Sequence, residues 1–244
     1  MLFAPLESSG RTEAVLDRVR TAIALGVLGE GEQLPPEAEL AAQFNVSPVT
    51  LREALGALRS EGIVETRRGR AGGTFVLRAD RLHLEHARTR LAALSPVDLR
   101  DLADWRIAIS AYAAELAAER ASDQNVAMLM TTAHQAADAS DEVSARRADS
   151  RFHIELAAAA QSARLSGAAI SLQVDYAPLV TLVYQDSAAR ASAAELFGSI
   201  AACVRDGKPE RARVLTKQVV VLTRDSLLEL RVDVIRGLGE ESSS

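Results

Sequence analysis

The chain has 244 residues, 48% of them hydrophobic and 25% charged, with a formal net charge of −5. That length suits one large domain or two modest ones, and the charge excludes a protein that coats nucleic acid by overall basicity. No apolar run approaches the roughly 20 residues of a membrane span, no basic or long apolar leader pattern opens the chain at Met1–Pro5, and the single Cys203 makes no internal disulfide, so a cytoplasmic protein without membrane contact is expected.

Gly and Pro punctuate the chain up to about residue 80 and thin out afterwards, which places a boundary near Leu77–Arg81. Residues 11–25 are periodic, with Val15, Val19 and Ile23 four apart, and predict a helix. Pro36 fits the first position of a second helix, with Glu37 and Glu39 favouring its N-terminal dipole and Leu40 and Phe44 on its apolar face. Asn45-Val46-Ser47 is a short turn. Ser47 suits the N-cap and Pro48 the first position of a third helix, which buries Leu51, Leu55 and Leu58 and stops at Gly62. Ile63–Thr66 and Thr74–Leu77 predict two strands, joined by the glycine- and arginine-rich turn 67–73. Beyond residue 80 the sequence is rich in Ala and Leu, and helices are expected at 81–94, 96–121, 123–138, 142–161, 163–185, 188–206 and 209–235. The expected class is mainly α: a winged helix-turn-helix at 1–78, an all-α bundle of six to seven helices at 79–237, and a flexible tail at 238–244. At helical spacing among Ala201, Ala202 and Val204, Cys203 reads as a core filler.

Two short helices joined by a three-residue turn, followed by a basic hairpin, are what a major-groove reader needs. The charge pattern agrees: residues 47–78 carry 6 Arg against 3 Glu, whereas residues 79–244 carry 19 Arg and Lys against 23 Asp and Glu. In the third helix the face opposite the leucines carries Val49, Glu53 and Gly56, with little bulk, and Arg52 flanks it within reach of a base or a phosphate. Ser47 and Thr50 frame that helix start. Arg67, Arg68 and Arg70 beside Gly72 and Gly73 let guanidinium groups and bare backbone approach phosphates or a minor groove. A solvated basic turn is the alternative for the hairpin alone.

The same residues resemble the GntR family of bacterial regulators. The matching stretches are 31–41 (GEQLPPEAELA), 46–55 (VSPVTLREAL), 62–64 (GIV) and 73–76 (GTFV). The resemblance implies DNA binding by the residues just named, to a double-stranded inverted-repeat operator, as a homodimer. Relatives often carry Arg where this chain has Ala38 and Pro48, which shifts weight to Arg52 and the wing. The second part resembles the helical effector domain (FCD-like) of the FadR-type subgroup, through 102–120, 149–153 and 207–212. That likeness implies a repressor whose operator affinity changes when a carboxylate-bearing or acyl metabolite enters a central cavity, in many relatives beside a divalent metal held by one Asp and three His.

Spacing places that cavity independently. Leu99, Leu102, Arg106, Ile109, Ala113 and Leu116 form one helical stripe, with Arg106 inside it. Asp149, Phe152, His153 and Leu156 form a second. Buried charges need partners. Either Arg106 and Asp149 form an internal pair beside a satisfied His153, or Arg106 offers its fork to a ligand carboxylate. Asp149 and His153 are the only metal candidates. Where the family's further histidines would stand, this chain has Phe197 and Val219, which offer no lone pair, so no bound metal or other cofactor is expected. Phe197 and Val219 are instead expected to line a more apolar and roomier effector pocket. His83, His86 and His134 read as surface residues. A metal-dependent carboxylate sensor and an architectural DNA-binding protein without effector stand as alternatives. An enzyme is not expected: there is no Gly-x-Ser-x-Gly elbow, and a fused aminotransferase-like domain needs a cofactor lysine and far more than the about 165 residues that remain, in which only Lys208 and Lys217 occur.

Overall fold

A computed structural model describes residues 8–24, 28, 31–67, 69, 72–77 and 81–241. The chain divides into two compact units, residues 1–86 and 87–244. In the first, three helices, α1 (Ser8–Ala24), α2 (Glu37–Phe44) and α3 (Pro48–Ser60), precede two strands, β1 (Val64–Arg67) and β2 (Gly73–Val76). Their shared core is Val15, Leu16, Val19, Leu34, Leu40, Ala41, Leu51, Leu55, Leu58, Val64 and Val76. Pro36 stands at the N-cap of α2 rather than inside its first turn. The difference of one residue is the usual fraying of helix starts. Between α2 and α3, Asn45 adopts the left-handed conformation (φ 52°), which a short polar side chain tolerates and which reverses the chain in three residues. The Ser47 hydroxyl accepts the Thr50 amide at 3.1 Å, and Pro48 opens the helix without wasting a donor. Arg20 on α1 donates two hydrogen bonds to Glu61, at 2.6 and 3.2 Å, and so ties the first helix to the end of α3.

The strands pair antiparallel, with Val64 opposite Val76 and Arg67 opposite Gly73. Both lie one residue away from the expected strands, a difference within the usual uncertainty of element ends. Residues 31–34 run along the other edge of β2, with Leu34 N bonded to Thr74 O and Val76 N to Glu32 O. The hairpin is therefore a three-stranded wing in hydrogen bonding, though the first piece is too short to count as a strand.

The remaining helices are α4 (Arg81–Ala93), α5 (Pro96–Arg120), α6 (Asp123–Ala137), α7 (Glu142–Ala159), α8 (Ala163–Val183), α9 (Ser187–Arg205) and α10 (Pro209–Glu241). Three of them begin with reciprocal caps: Ser95 with Asp98, Ser122 with Asn125, and Asp141 with Ser144. Pro96 and Pro209 occupy first positions, as the sequence predicts. The last helix continues to Glu241, through the stretch from residue 238 that reads as a tail, because no proline interrupts it. Helices α5, α6, α7, α9 and α10 enclose the larger core, in which Leu129, Phe152, Leu156, Phe197, Ile200 and Val219 are buried together. The buried Cys203 belongs to the same core. A second cluster joins α5, α7 and α8 through Ile109, Ala113, Leu116, Ala157, Ala169 and Leu172. The fold is thus mainly α, with an N-terminal winged helix-turn-helix and a C-terminal helical bundle.

Candidate functional site

On α3 the buried residues Leu51, Ala54, Leu55 and Leu58 define the inner face. At about 100° per residue, the outermost stripe is then Val49, Glu53 and Gly56, with Arg52 and Arg59 along one flank. Val49 is 62% exposed. The polar neighbours of Val49 are held within the protein. Arg52 Nε donates to Glu37 on α2 at 3.1 Å, Glu53 accepts from Thr12 on α1 at 3.3 Å, and the Ser47 and Thr50 hydroxyls lie 2.9 Å apart. The Arg52–Glu37 pair is largely exposed and therefore weak enough for a base or phosphate to displace.

In the wing, the Arg67 guanidinium lies 4.4 Å above the Phe75 ring and pairs with Glu65 at 2.5 Å. Arg67 is thus folded onto the sheet, a position the sequence alone does not reveal. Arg68 and Arg70 lie outside the described residues. Gly72 closes the turn by donating to Gly69 O at 2.9 Å, and a Cβ on Gly72 would meet the backbone oxygens of Arg67 and Gly69 at 2.7 and 2.8 Å. Beside it, Gln33 Nε2 donates to Gly72 O at 3.1 Å, and a Cβ on Gly73 would collide with that Gln33 side chain. Both glycines have a packing reason to be glycine, whatever they offer to DNA.

In the helical unit, α5 and α7 bring the two polar stripes together. Arg106 Nη2 donates to Asp149 Oδ1 at 2.7 Å, and both side chains are almost completely buried. The internal pair is therefore present, but it is single-pronged. The second Asp149 oxygen, Oδ2, accepts from the Tyr184 hydroxyl at 2.9 Å. Tyr176 lies beneath the guanidinium, with its ring centroid 4.1 Å from Cζ. Burial opposes charge on all these groups. The Asp149 carboxylate nonetheless keeps Arg106 charged, and Arg106 in turn brings Asp149 below the ordinary carboxylate value. Burial and then the Asp149 carboxylate push Tyr184 up, so it remains a donor. His153 has no such partner. Its Nε2 is 3.9 Å from Asp149 Oδ2, and burial together with Arg106 lowers its pKa from 6.5 to about 3, so it is neutral.

The helix α8 supplies what the sequence reading missed. Gln173, Tyr176 and Tyr184 fall on one stripe at steps of three and eight. These are buried side chains with polar tips that share one face of α8 and its C-cap, and that spacing was the available signal. Five buried polar atoms of this region and its neighbours find no hydrogen-bond partner in the protein: Arg106 Nη1, both ring nitrogens of His153, Ser150 Oγ and Gln173 Oε1. Such atoms are uncommon in native interiors and call for water or a ligand.

Phe197 and Val219 are buried as expected. Phe197, however, stacks on Phe152 at 4.4 Å and meets His153 edge-on at 5.7 Å. It makes the surroundings apolar by filling space against His153 rather than by opening room. The residues present do not fit a divalent metal: both Asp149 oxygens are engaged, and His153 stands alone. Among the described residues no group of three or more His, Cys, Asp or Glu is placed to hold a metal ion. Nor is any described helix long and apolar enough to cross a membrane.

Comparison with known proteins gives matches to both units. The model of the bacterial regulatory proteins of the gntR family matches residues 11–76, and that of the FCD domain matches residues 101–221. An HTH-type transcriptional regulator of Mycobacterium gastri, RmpR, is 41% identical over 88% of this chain and 79% of its own length. The HTH-type transcriptional repressor NanR of Salmonella bongori is 33% identical over 51% of this chain, which spans 48% of that protein. Among solved structures, E. coli McbR/YncC superposes with a TM-score of 0.55 at 18% identity, covering 90% of this chain and 98% of that one.

Proposed function

Because the chain belongs to the GntR family, with an FCD domain following its winged helix-turn-helix, we propose that this DNA-binding regulator is a cytoplasmic homodimeric repressor. It binds an inverted-repeat operator and lets go when a small carboxylate-bearing or acyl ligand enters the helical unit. One observation carries the ligand reading: a charged guanidinium, completely buried, with Nη1 unpartnered beside a neutral histidine that has neither ring nitrogen bonded. Arg106 Nη1 is a donor of the kind a carboxylate takes, and charge-assisted bonds in such surroundings are strong. The name of NanR supports the repressor reading by likeness. On α5, Trp105 and Tyr112 stand two turns apart and half exposed, and an exposed aromatic face of that kind supports self-association. Pairing through a twofold axis suits an inverted repeat. Release is a population shift: the ligand binds the low-affinity arrangement better, and a tenfold loss of operator affinity needs about 1.4 kcal/mol of coupling.

The experiment is a gel-shift titration of the full chain on duplexes from its own promoter region, with and without a panel of short-chain and medium-chain carboxylic acids. At least one acid lowers the affinity of the wild type, and Arg106→Met abolishes the response while retaining operator binding. The Arg106–Asp149 contact favours a second reading, in which the pair is only structural. In that case no acid acts, and Arg106→Met merely destabilises the bundle by about 3–5 kcal/mol, since Asp149 is left buried without its partner.

A further inference from the structure

Reading of bases by α3 rests on the DNA-binding role of this family, and the surface of α3 says which base feature it meets first. Val49 is the second residue of the helix, directly opposite the buried leucine face, and 62% exposed. It is the most exposed large hydrophobic side chain on this helix. The polar side chains around it have partners in the protein through exposed contacts: Ser47 with the Thr50 amide and hydroxyl, Arg52 with Glu37, and Glu53 with Thr12. Of these, the Arg52–Glu37 pair is weak enough to be exchanged for DNA. Pro48, immediately before Val49, has no backbone donor to offer. Gly56, two turns on, adds no side chain of its own, and beyond it only Arg59, whose guanidinium reaches over Gly56, and the small Ser60 are exposed on this side of the helix.

A leading edge of this kind has no donor or acceptor to spend on a base at the Val49 position. The major groove presents four base-pair patterns, and its one apolar feature is the 5-methyl group of thymine. We propose that Val49 is a specificity-determining residue that packs against a thymine methyl in each half-site, so that the operator carries an A·T pair at one fixed distance from its dyad. Any other base at that position leaves Val49 against a bare polar edge. Burying one methyl against an aliphatic side chain is worth about a fourfold change in affinity, and two independent half-sites about fifteenfold.

The test uses the full-length protein and a pool of random 30-base-pair duplexes. After selection, every thymine of the preferred half-site is replaced in turn by deoxyuridine, which removes only the methyl group. The expected result is one thymine whose replacement in both half-sites weakens wild-type binding about fifteenfold. Val49→Ala, a change at an exposed position that leaves the fold intact, binds the thymine duplex more weakly than the wild type does and distinguishes it less from the uracil duplex, because the remaining methyl stands farther from the groove floor. Retained duplexes that bind equally with thymine and uracil throughout overturn the inference alone, as does a Val49→Ala variant that keeps the full preference. A pool in which no duplex is retained at low salt overturns the base-reading role of α3 together with it.

Discussion

The buried histidine gives the sharpest statement at the level of single residues. His153 is neutral in the folded chain down to about pH 3, whereas the same residue in an unfolded chain takes up a proton near pH 6.5. Below that value the unfolded state binds more protons, so stability is complete above it and falls as the pH drops, by at most about 1.4 kcal/mol per unit. Asp149 contributes with the same sign around its ordinary 3.8, and exposed carboxylates held below their ordinary values (Glu210 from 4.5, Asp98, Asp141 and Asp206 from 3.8) add screened losses at the acid end. Only the upper part of the window, toward 6.5, therefore belongs to the histidine. Urea denaturation at several pH values in that window should show the loss in the wild type and a flatter profile in His153→Gln. Equal slopes would mean that the native state protonates His153 freely. At this scale the sequence was legible where a charge interrupts an apolar stripe, as Arg106, Asp149 and His153 do. It said less where the partner is amphipathic: spacing puts Tyr176 and Tyr184 on one face, but only packing shows that their ring face and hydroxyl serve Arg106 and Asp149. The fold of Arg67 onto Phe75 was hidden for a similar reason, since the cation–π contact depends on cross-strand register.

Helices were easier to read than side-chain partners because their starts are local. Ser47-Pro48, Ser95-Pro96 and Asp123 mark helix starts to within a residue, each through side-chain oxygens or a proline that suits the first turn. The Ser47 cap supports the helix that carries Val49 and Arg52. Replacing Ser47 with Ala removes the bond to the Thr50 amide and should lower the stability of the first unit by about 1 kcal/mol, read as a shift of its thermal midpoint. Operator affinity should fall further than a distant surface change of equal stability cost makes it fall, because the helix start frays where it meets DNA. An unchanged midpoint would show that Pro48 alone sets the start. Strand limits were off by one residue, since short strands have no capping side chain to mark their ends as the helices do. In α8, Pro178 sits inside a helix that continues past it, against its usual effect. The buried faces on either side of it, with Leu172, Tyr176, Leu179 and Val183, hold the helix together where local preference would end it.

For the molecule as a whole, the existence of two units was visible in where glycine and proline thin out, although the compact units divide between residues 86 and 87 and not near 77–81. Which surface would carry the proposed self-association was not visible, because exposed aromatic residues look in sequence like any others. If the α5 face seats a second copy, light scattering on the wild type should give twice the chain mass, and Trp105→Asp should shift it toward monomer at the same concentration. A variant that stays dimeric assigns the contact to another surface. The reciprocal caps Ser95–Asp98, Ser122–Asn125 and Asp141–Ser144 have a consequence for the history of such chains. Each helix carries the instruction for its own beginning within four residues, so the loops before the caps need not measure out distance. Extra residues entering at Ala139–Ser140 leave the next start in register and add only the slowly growing entropy of a longer loop, about 0.6 kcal/mol for each doubling. A Gly-Ser insert of three residues there should therefore be nearly silent in a thermal melt, whereas the same insert within α7, between Asp149 and His153, should abolish folding of the bundle. A lineage built this way can lengthen its connections, and with them change which surfaces its helices present, without rewriting the helices themselves.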